Sequence, residues 1–178
     1  MTGDPPEAGL EDVPEPEGTP GIAARLPRKR TAAGALVRDP RGRLVFVVPA
    51  YKPGLDIPGG MVEDGESPAR ACRREVAEEI GLDLTPGRLL VVDWTPARGV
   101  WSDALALVFD GGVLSEQQAR DLRAHDAELL DALLLTLDEA TARLRPGMLR
   151  RLRAASAALD DGRFRYLENG TDPAAGGT

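Results

Sequence analysis

Ser67-Pro68 at one end and Gly81 at the other bracket a stretch that has few options besides an α-helix. A serine hydroxyl accepts a first-turn N–H, proline suits the first helical position because its missing N–H would go unpaired there, and glycine ends a helix by taking left-handed backbone. The spacing predicts a helix over 68–80. Ala69, Cys72, Val76 and Ile80 form an apolar stripe along it, while Glu75, Glu78 and Glu79, at i, i+3 and i+4, share a face about a third of a turn away. A helix of this kind has to lay its stripe on a second layer and hold its carboxylates at the edge of that contact.

The flanking sequence supplies the second layer. Thr31–Val37 and Leu44–Val48 are apolar runs on either side of the turn signal Asp39-Pro40-Arg41-Gly42, and they predict a hairpin. Arg88–Asp93, Ala104–Phe109 and Leu133–Leu137 predict further strands, the second of them ended by Asp110-Gly111-Gly112. Gly54–Gly65 and Thr95–Ser102 read as loops, and helical segments are expected over 117–123, 138–144 and 146–158. Strands before and after a central helix, with more helix late, predict a mixed α/β sandwich. The acidic, Pro-rich residues 1–27 and the tail 168–178 have little to bury and are expected to be unstructured, which leaves one domain over 28–167.

Three carboxylates within one turn repel each other by about a few tenths of a kcal/mol per pair, and near the C-terminal end they also oppose the helix macrodipole. A bound dication makes the cluster favourable. No histidine or cysteine pair accompanies it, so all-oxygen ligation predicts Mg²⁺, with Mn²⁺ as the other option, rather than zinc. The Pro58-Gly59-Gly60 run allows close backbone approach, so Gly59 and Gly60 are candidate substrate contacts and the Gly60 carbonyl a candidate metal oxygen. Arg74 can orient a neighbouring carboxylate, and Glu66 faces the same loop.

These residues fall in one order: Gly60, five residues, Glu66, seven residues, Arg74-Glu75-Val76, one residue, Glu78-Glu79, one residue, Gly81-Leu82. The order resembles the Nudix box with every position filled. At ~7% usage per residue type, such a coincidence is expected in on the order of one window in a hundred million. The resemblance implies a Nudix-like α/β/α sandwich with a mixed sheet, in which the box forms a loop–helix–loop. It implies metal-dependent hydrolysis of a diphosphate linkage in a nucleoside diphosphate derivative: a nucleotide sugar such as ADP-ribose, a dinucleoside polyphosphate or a nucleoside triphosphate. Carried over by position, Glu75, Glu78, Glu79 and the Gly60 carbonyl are metal ligands, Glu66 an auxiliary acid, and Arg74 the residue that positions Glu75. A box glutamate or an acid outside the box takes the proton of the attacking water. Glu128 is the candidate outside the box for this base or for an extra metal ligand, with Glu116 and Asp103 behind it. The family also admits a homodimer. The alternative from another class is a Nudix-like module without catalysis, which senses a nucleotide or docks a protein.

Composition narrows the partners. The net charge of −7 repels nucleic acid, although a bound dication can invert the local sign for a small phosphorylated substrate. The apolar runs fall far short of the ~20 residues a membrane helix needs, and the acidic start does not resemble a signal peptide. With a single cysteine, Cys72, there is no internal disulfide, and a cytoplasmic location is the expectation. Cys72 falls on the apolar stripe as a small hydrophobe, and His125 has no partner pattern. Tyr51, Trp94 and Trp101 can stack on a base or fill the core, and Tyr51 is carried forward as a candidate substrate contact. Arg143, Arg145, Arg150, Arg151 and Arg153 are expected to form a solvated helix surface.

Overall fold

The computed structural model describes Gly21 and residues 25–176. Most of the acidic N-terminal segment lies outside the described residues. Seven strands form one mixed sheet: β1 (Arg30–Arg38), β2 (Leu44–Pro49), β3 (Gly59–Met61), β4 (Leu89–Thr95), β5 (Ala104–Val113), β6 (Leu129–Leu135) and β7 (Arg165–Glu168). Their order is β6-β2-β1-β5-β4-β7, with β3 on β1. The β1–β5 and β4–β7 pairs are parallel and the others antiparallel.

Between the strands lie α1 (Pro68–Ile80), α2 (Glu116–Asp121), α3 (Leu137–Ala140) and α4 (Pro146–Asp161). Helix α1 begins where Ser67 Oγ accepts the Arg70 N–H at 3.3 Å and ends at Gly81, whose φ is +68°. It covers one face of the sheet, packing Ala71, Cys72, Val76 and Ile80 against Ala33, Ala35, Val37 and Val45. Each fully buried Val or Ile of this kind contributes about 1.5–3 kcal/mol. Ala71 joins the contact and Ala69 stays exposed, contrary to the stripe drawn from periodicity. The crossing of the helix over the sheet, and not the period alone, decides which first-turn residue is buried. On the other face α4 buries Leu152, Ala155 and Ala158 against Leu36, Val91, Val108 and Leu167. The mixed sheet between helical layers is the expected α/β/α sandwich.

Several elements differ from the sequence-based expectation. The presumed loop 54–65 contains β3, whose glycines pair with Ala33 and Gly34 of β1. Strand β5 continues through Asp110-Gly111-Gly112, where the register to β1 shifts in place of the strand ending. Strand β6 begins at Leu129 because Asp131, which breaks the apolar run, sits at an exposed position opposite Val48. Strand β7 has one buried side chain, Leu167, too little for an apolar pattern. Beyond it, in the segment read as tail, Asn169-Gly170 turns back so that the Asn169 N–H donates to the Trp94 carbonyl at 2.7 Å.

Candidate active site

Strand β3 lies close to β1 at Gly59 and to helix α1 at Gly60. Gly59 has φ +147°, and a Cβ there would lie 2.4 Å from the Ala33 carbonyl oxygen. At Gly60 a Cβ would lie 2.4 Å from Glu75 Oε1. The carboxylates of α1 therefore rest directly on the β3 backbone.

Arg74 organises one half of the site. Its Nε and Nη2 grip both oxygens of Glu66 at 3.0 and 2.9 Å, and Nη2 also donates to the Met61 carbonyl at 3.1 Å. Its Nη1 reaches Glu75 at 2.9 Å and Glu78 at 3.2 Å. A planar guanidinium is the one side chain that can bind this many oxygens in a fixed fork. The same arginine holds the Glu66 carboxyl below its ordinary value. Burial pushes Glu75 up, against the pull of Arg74, with the charges of Glu78 and Glu66 adding to the rise. Because Arg74 holds Glu66, Glu75 and Glu78 through its contacts, Arg74→Lys, which keeps one charge but loses the fork, is expected to lower kcat/KM about 10–100-fold. Steady-state kinetics beside a circular dichroism melt would check this.

Glu79 forms the other half. Its Oε2 accepts the Gly59 N–H at 2.8 Å, and it lines a cleft together with Gly59, Gly60 and Tyr51. Burial raises its carboxyl to about 8, the Gly59 N–H opposes that, and the charges of Glu75, Asp56 and Asp126 add to it. A carboxylate in that position gains most from a cation. Among the described residues no three His, Cys, Asp or Glu side chains are already drawn together as a metal cage. Glu75 and Glu78 are turned to Arg74 and Glu79 to Gly59, but the donor chemistry of oxygens alone, crowded and mutually repelling, fits a hard dication.

Tyr51 stands 69% exposed at the cleft, with the Lys52 ammonium 5.2 Å from its ring. Glu128 shares a shallow recess with Ala50 and Tyr51 at the same rim. Asp103 is bound by Lys29 and by Trp94 Nε1, the latter at 2.9 Å, and Glu116 lies in the first turn of α2. Trp101 lies over the Arg30 guanidinium, 5.1 Å from its ring centre. Cys72 is buried on the apolar face and its thiol is pushed up to about 12 by that burial, which makes it inert. His125 packs its ring against Gly81, and its backbone N–H donates to the Glu79 carbonyl at 2.8 Å.

Sequence reasoning missed three residues of the cleft and one acid that acts on it from outside. Asp56 and Asp126 are the acids outside the box that act on Glu79. Arg145 and Arg151 line the cleft; Arg145 is solvent-exposed as expected of a helix surface, whereas Arg151, 13% exposed, turns inward and pairs with the buried Asp93 at 2.8 Å. Asp56 is two residues before Pro58-Gly59-Gly60, close enough to be suspected. The arginine contact joins chain segments 58 residues apart, which no local pattern marks.

The family model described as NUDIX domain matches residues 28–155. The chain belongs to the Nudix family. It is a Nudix enzyme. It resembles a methanol dehydrogenase activator of Bacillus methanolicus, with 27% identity over 129 residues, which is 65% of this chain and 68% of that protein. An 8-oxo-dGTP diphosphatase of Proteus vulgaris is 51% identical over 35 residues, 20% of this chain and 31% of that protein. The crystal structure of a MutT protein from Methanosarcina mazei Go1 has the same fold, with a TM-score of 0.61 at 21% identity over 78% of this chain and 99% of that one.

Proposed function

We propose that this Nudix enzyme hydrolyses the diphosphate linkage of a nucleoside diphosphate derivative, using a divalent cation held by Glu75, Glu78, Glu79 and the Gly60 carbonyl. The observation that carries the reading is Glu79: a cleft-lining carboxylate bonded to the Gly59 N–H at 2.8 Å, whose ionisation is opposed by burial and by three neighbouring acids. When bound, Mg²⁺ or Mn²⁺ would neutralise charge on diphosphate oxygens and acidify a water. Glu79 is then the group that accepts the water proton, oriented by the Gly59 N–H. Arg74 and Glu66 hold Glu75 over Gly60, and Tyr51 offers an exposed ring to the substrate at the rim beside Glu128. A reducing, cytoplasmic setting suits the free and buried Cys72. Among the described residues no helix is long and apolar enough to cross a membrane. The 35-residue likeness to an 8-oxo-dGTP diphosphatase bears on the hydrolytic chemistry, and it is too short to carry that protein's substrate over.

Metal dependence can be tested through stability. Unfolded, the Glu79 carboxyl titrates near 4.5; folded and metal-free, near 8. The folded state therefore holds the proton more tightly. That contribution to stability is complete below pH 4.5 and is lost as pH rises through 8. Mg²⁺ needs the ionised carboxylate, so its stabilisation runs the opposite way. We expect calorimetry to give a small rise in Tm with Mg²⁺ at pH 5 and a larger one at pH 8.5, abolished by EDTA. An equal rise at both pH values would remove Glu79 from the ligand set. A panel of nucleotide sugars, dinucleoside polyphosphates and nucleoside triphosphates, assayed for released phosphate or pyrophosphate, identifies the substrate class.

A further inference from the structure

The box does not account for the wall of the cleft made by α4. Arg145, Met148 and Arg151 come from its start, and Lys52 from the loop after β2. Below them Ala32, Gly34 and Ala106 make a floor of minimal side chains.

Arg151 is held in an unusual way. Its Nε donates to Asp93 Oδ2 at 2.8 Å, and the other oxygen of Asp93 accepts the Gly170 N–H at 2.9 Å. Asp93 is fully buried in β4. The aspartate is satisfied by one guanidinium donor and one backbone donor, so most of the arginine's five N–H groups are not used on it. Nη1 meets only the Met148 sulfur, at 3.9 Å, a weak acceptor. The other two cations both face Asp56. Lys52 pairs with Asp56, and Arg145 stands 3.6 Å from Asp56 Oδ1, beyond hydrogen-bond reach, which leaves that buried oxygen without a hydrogen-bond partner. Three cations against the two carboxylates Asp56 and Asp93 leave this wall positive on a chain whose net charge is −7. An arginine oriented by a dedicated buried carboxylate, lining a cavity with donors that this carboxylate leaves unused, presents a rigid fork matched to phosphate oxygens.

We propose that Arg151, positioned by Asp93 and flanked by Arg145 and Lys52, forms an anion subsite that selects substrates with a phosphate beyond the scissile diphosphate. Nucleoside triphosphates and dinucleoside polyphosphates are then favoured over nucleotide sugars whose X group is uncharged. This rests on the hydrolase reading above and names its substrate class.

The test compares kcat and KM for dGTP and for ADP-ribose in the wild type, Arg145→Ala, Arg151→Lys and Asp93→Asn, all with Mg²⁺. The ratio of kcat/KM for dGTP to that for ADP-ribose is expected to fall about 10–100-fold in Arg151→Lys, mainly through KM, as loss of hydrogen bonds to a charged group requires. Asp93→Asn should lower the same ratio if it acts through Arg151. An unchanged ratio in folded variants would overturn the proposal, since damage to the fold would depress both substrates alike. Arg145→Ala removes a side chain 59% exposed and keeps the test alive if the Asp93–Arg151 variants do not fold. Titration calorimetry of a non-hydrolysable triphosphate into metal-free protein separates the two readings. If the wild type turns over no member of the nucleotide panel described above, the hydrolase reading fails. The subsite then stands on a fall of about tenfold or more in triphosphate affinity in Arg145→Ala, and it is overturned by unchanged affinity.

Discussion

Glu79→Gln is expected to lower kcat by on the order of 10²–10⁴-fold, the contribution of a positioned general base, while the protein stays folded. Glutamine has the same shape and can still accept the Gly59 N–H that Oε2 now receives at 2.8 Å. It carries no charge to bury, and at neutral pH the metal-free wild-type carboxyl, raised to about 8, is largely protonated in any case. The metal-free variant should therefore melt at about the wild-type temperature near pH 7. Above pH 8 it should melt higher, because the wild type then carries a buried charge beside Glu75 and Asp56 and the variant does not. Single-turnover kinetics and calorimetry on the same preparation check both halves. Unchanged turnover would mean that the proton goes elsewhere, with Glu128 at the rim the next residue to replace.

Gly59→Ala is expected to cost about 2–6 kcal/mol of stability, from ~1–3 kcal/mol for backbone that only glycine adopts readily and a similar amount for overpacking. The clash is with backbone: the Ala33 carbonyl oxygen and Gly34 Cα would each be 2.4 Å from the new Cβ, and neither can swing aside. Gly60→Ala makes an instructive contrast. Its new Cβ would also meet atoms at 2.4 Å, but they are the carboxyl carbon and an oxygen of Glu75, at the end of a side chain that can rotate away. Urea denaturation should show a large loss at Gly59 and a small one at Gly60, while both variants lose activity. If Gly60→Ala kept full activity, Glu75 could not need its place over that backbone.

The helix of the site was legible because its signals are local. Ser67, Pro68 and Gly81 act on their own turns, and three glutamates on one face are a matter of helical period. The order from Gly60 to Leu82 carried the family for the same reason. Strands β3 and β7 were not legible. The first is glycine and methionine, with no apolar alternation, and exists because β1 offers it a free edge; the second buries one leucine and is held by β4.

The cationic wall shows most clearly where local reading ends. In sequence Arg145, Arg150 and Arg151 are neighbours on an acidic chain, and a solvated surface is the sound expectation. In space they part: Arg150 ties the Asn169 carbonyl at 2.7 Å, Arg145 faces Asp56, and Arg151 turns inward to Asp93. The difference lies in Asp93, a carboxylate in the middle of an apolar strand with no exposed surface, which requires a paired charge once the sheet closes over it. By itself the sequence determined the helix, its acidic face and the family, because those depend on residues within a few turns of one another. Only the tertiary structure decided which acids crowd Glu79 and which arginine enters the cleft, because burial and charge pairing are set by distances in space between segments far apart in the chain.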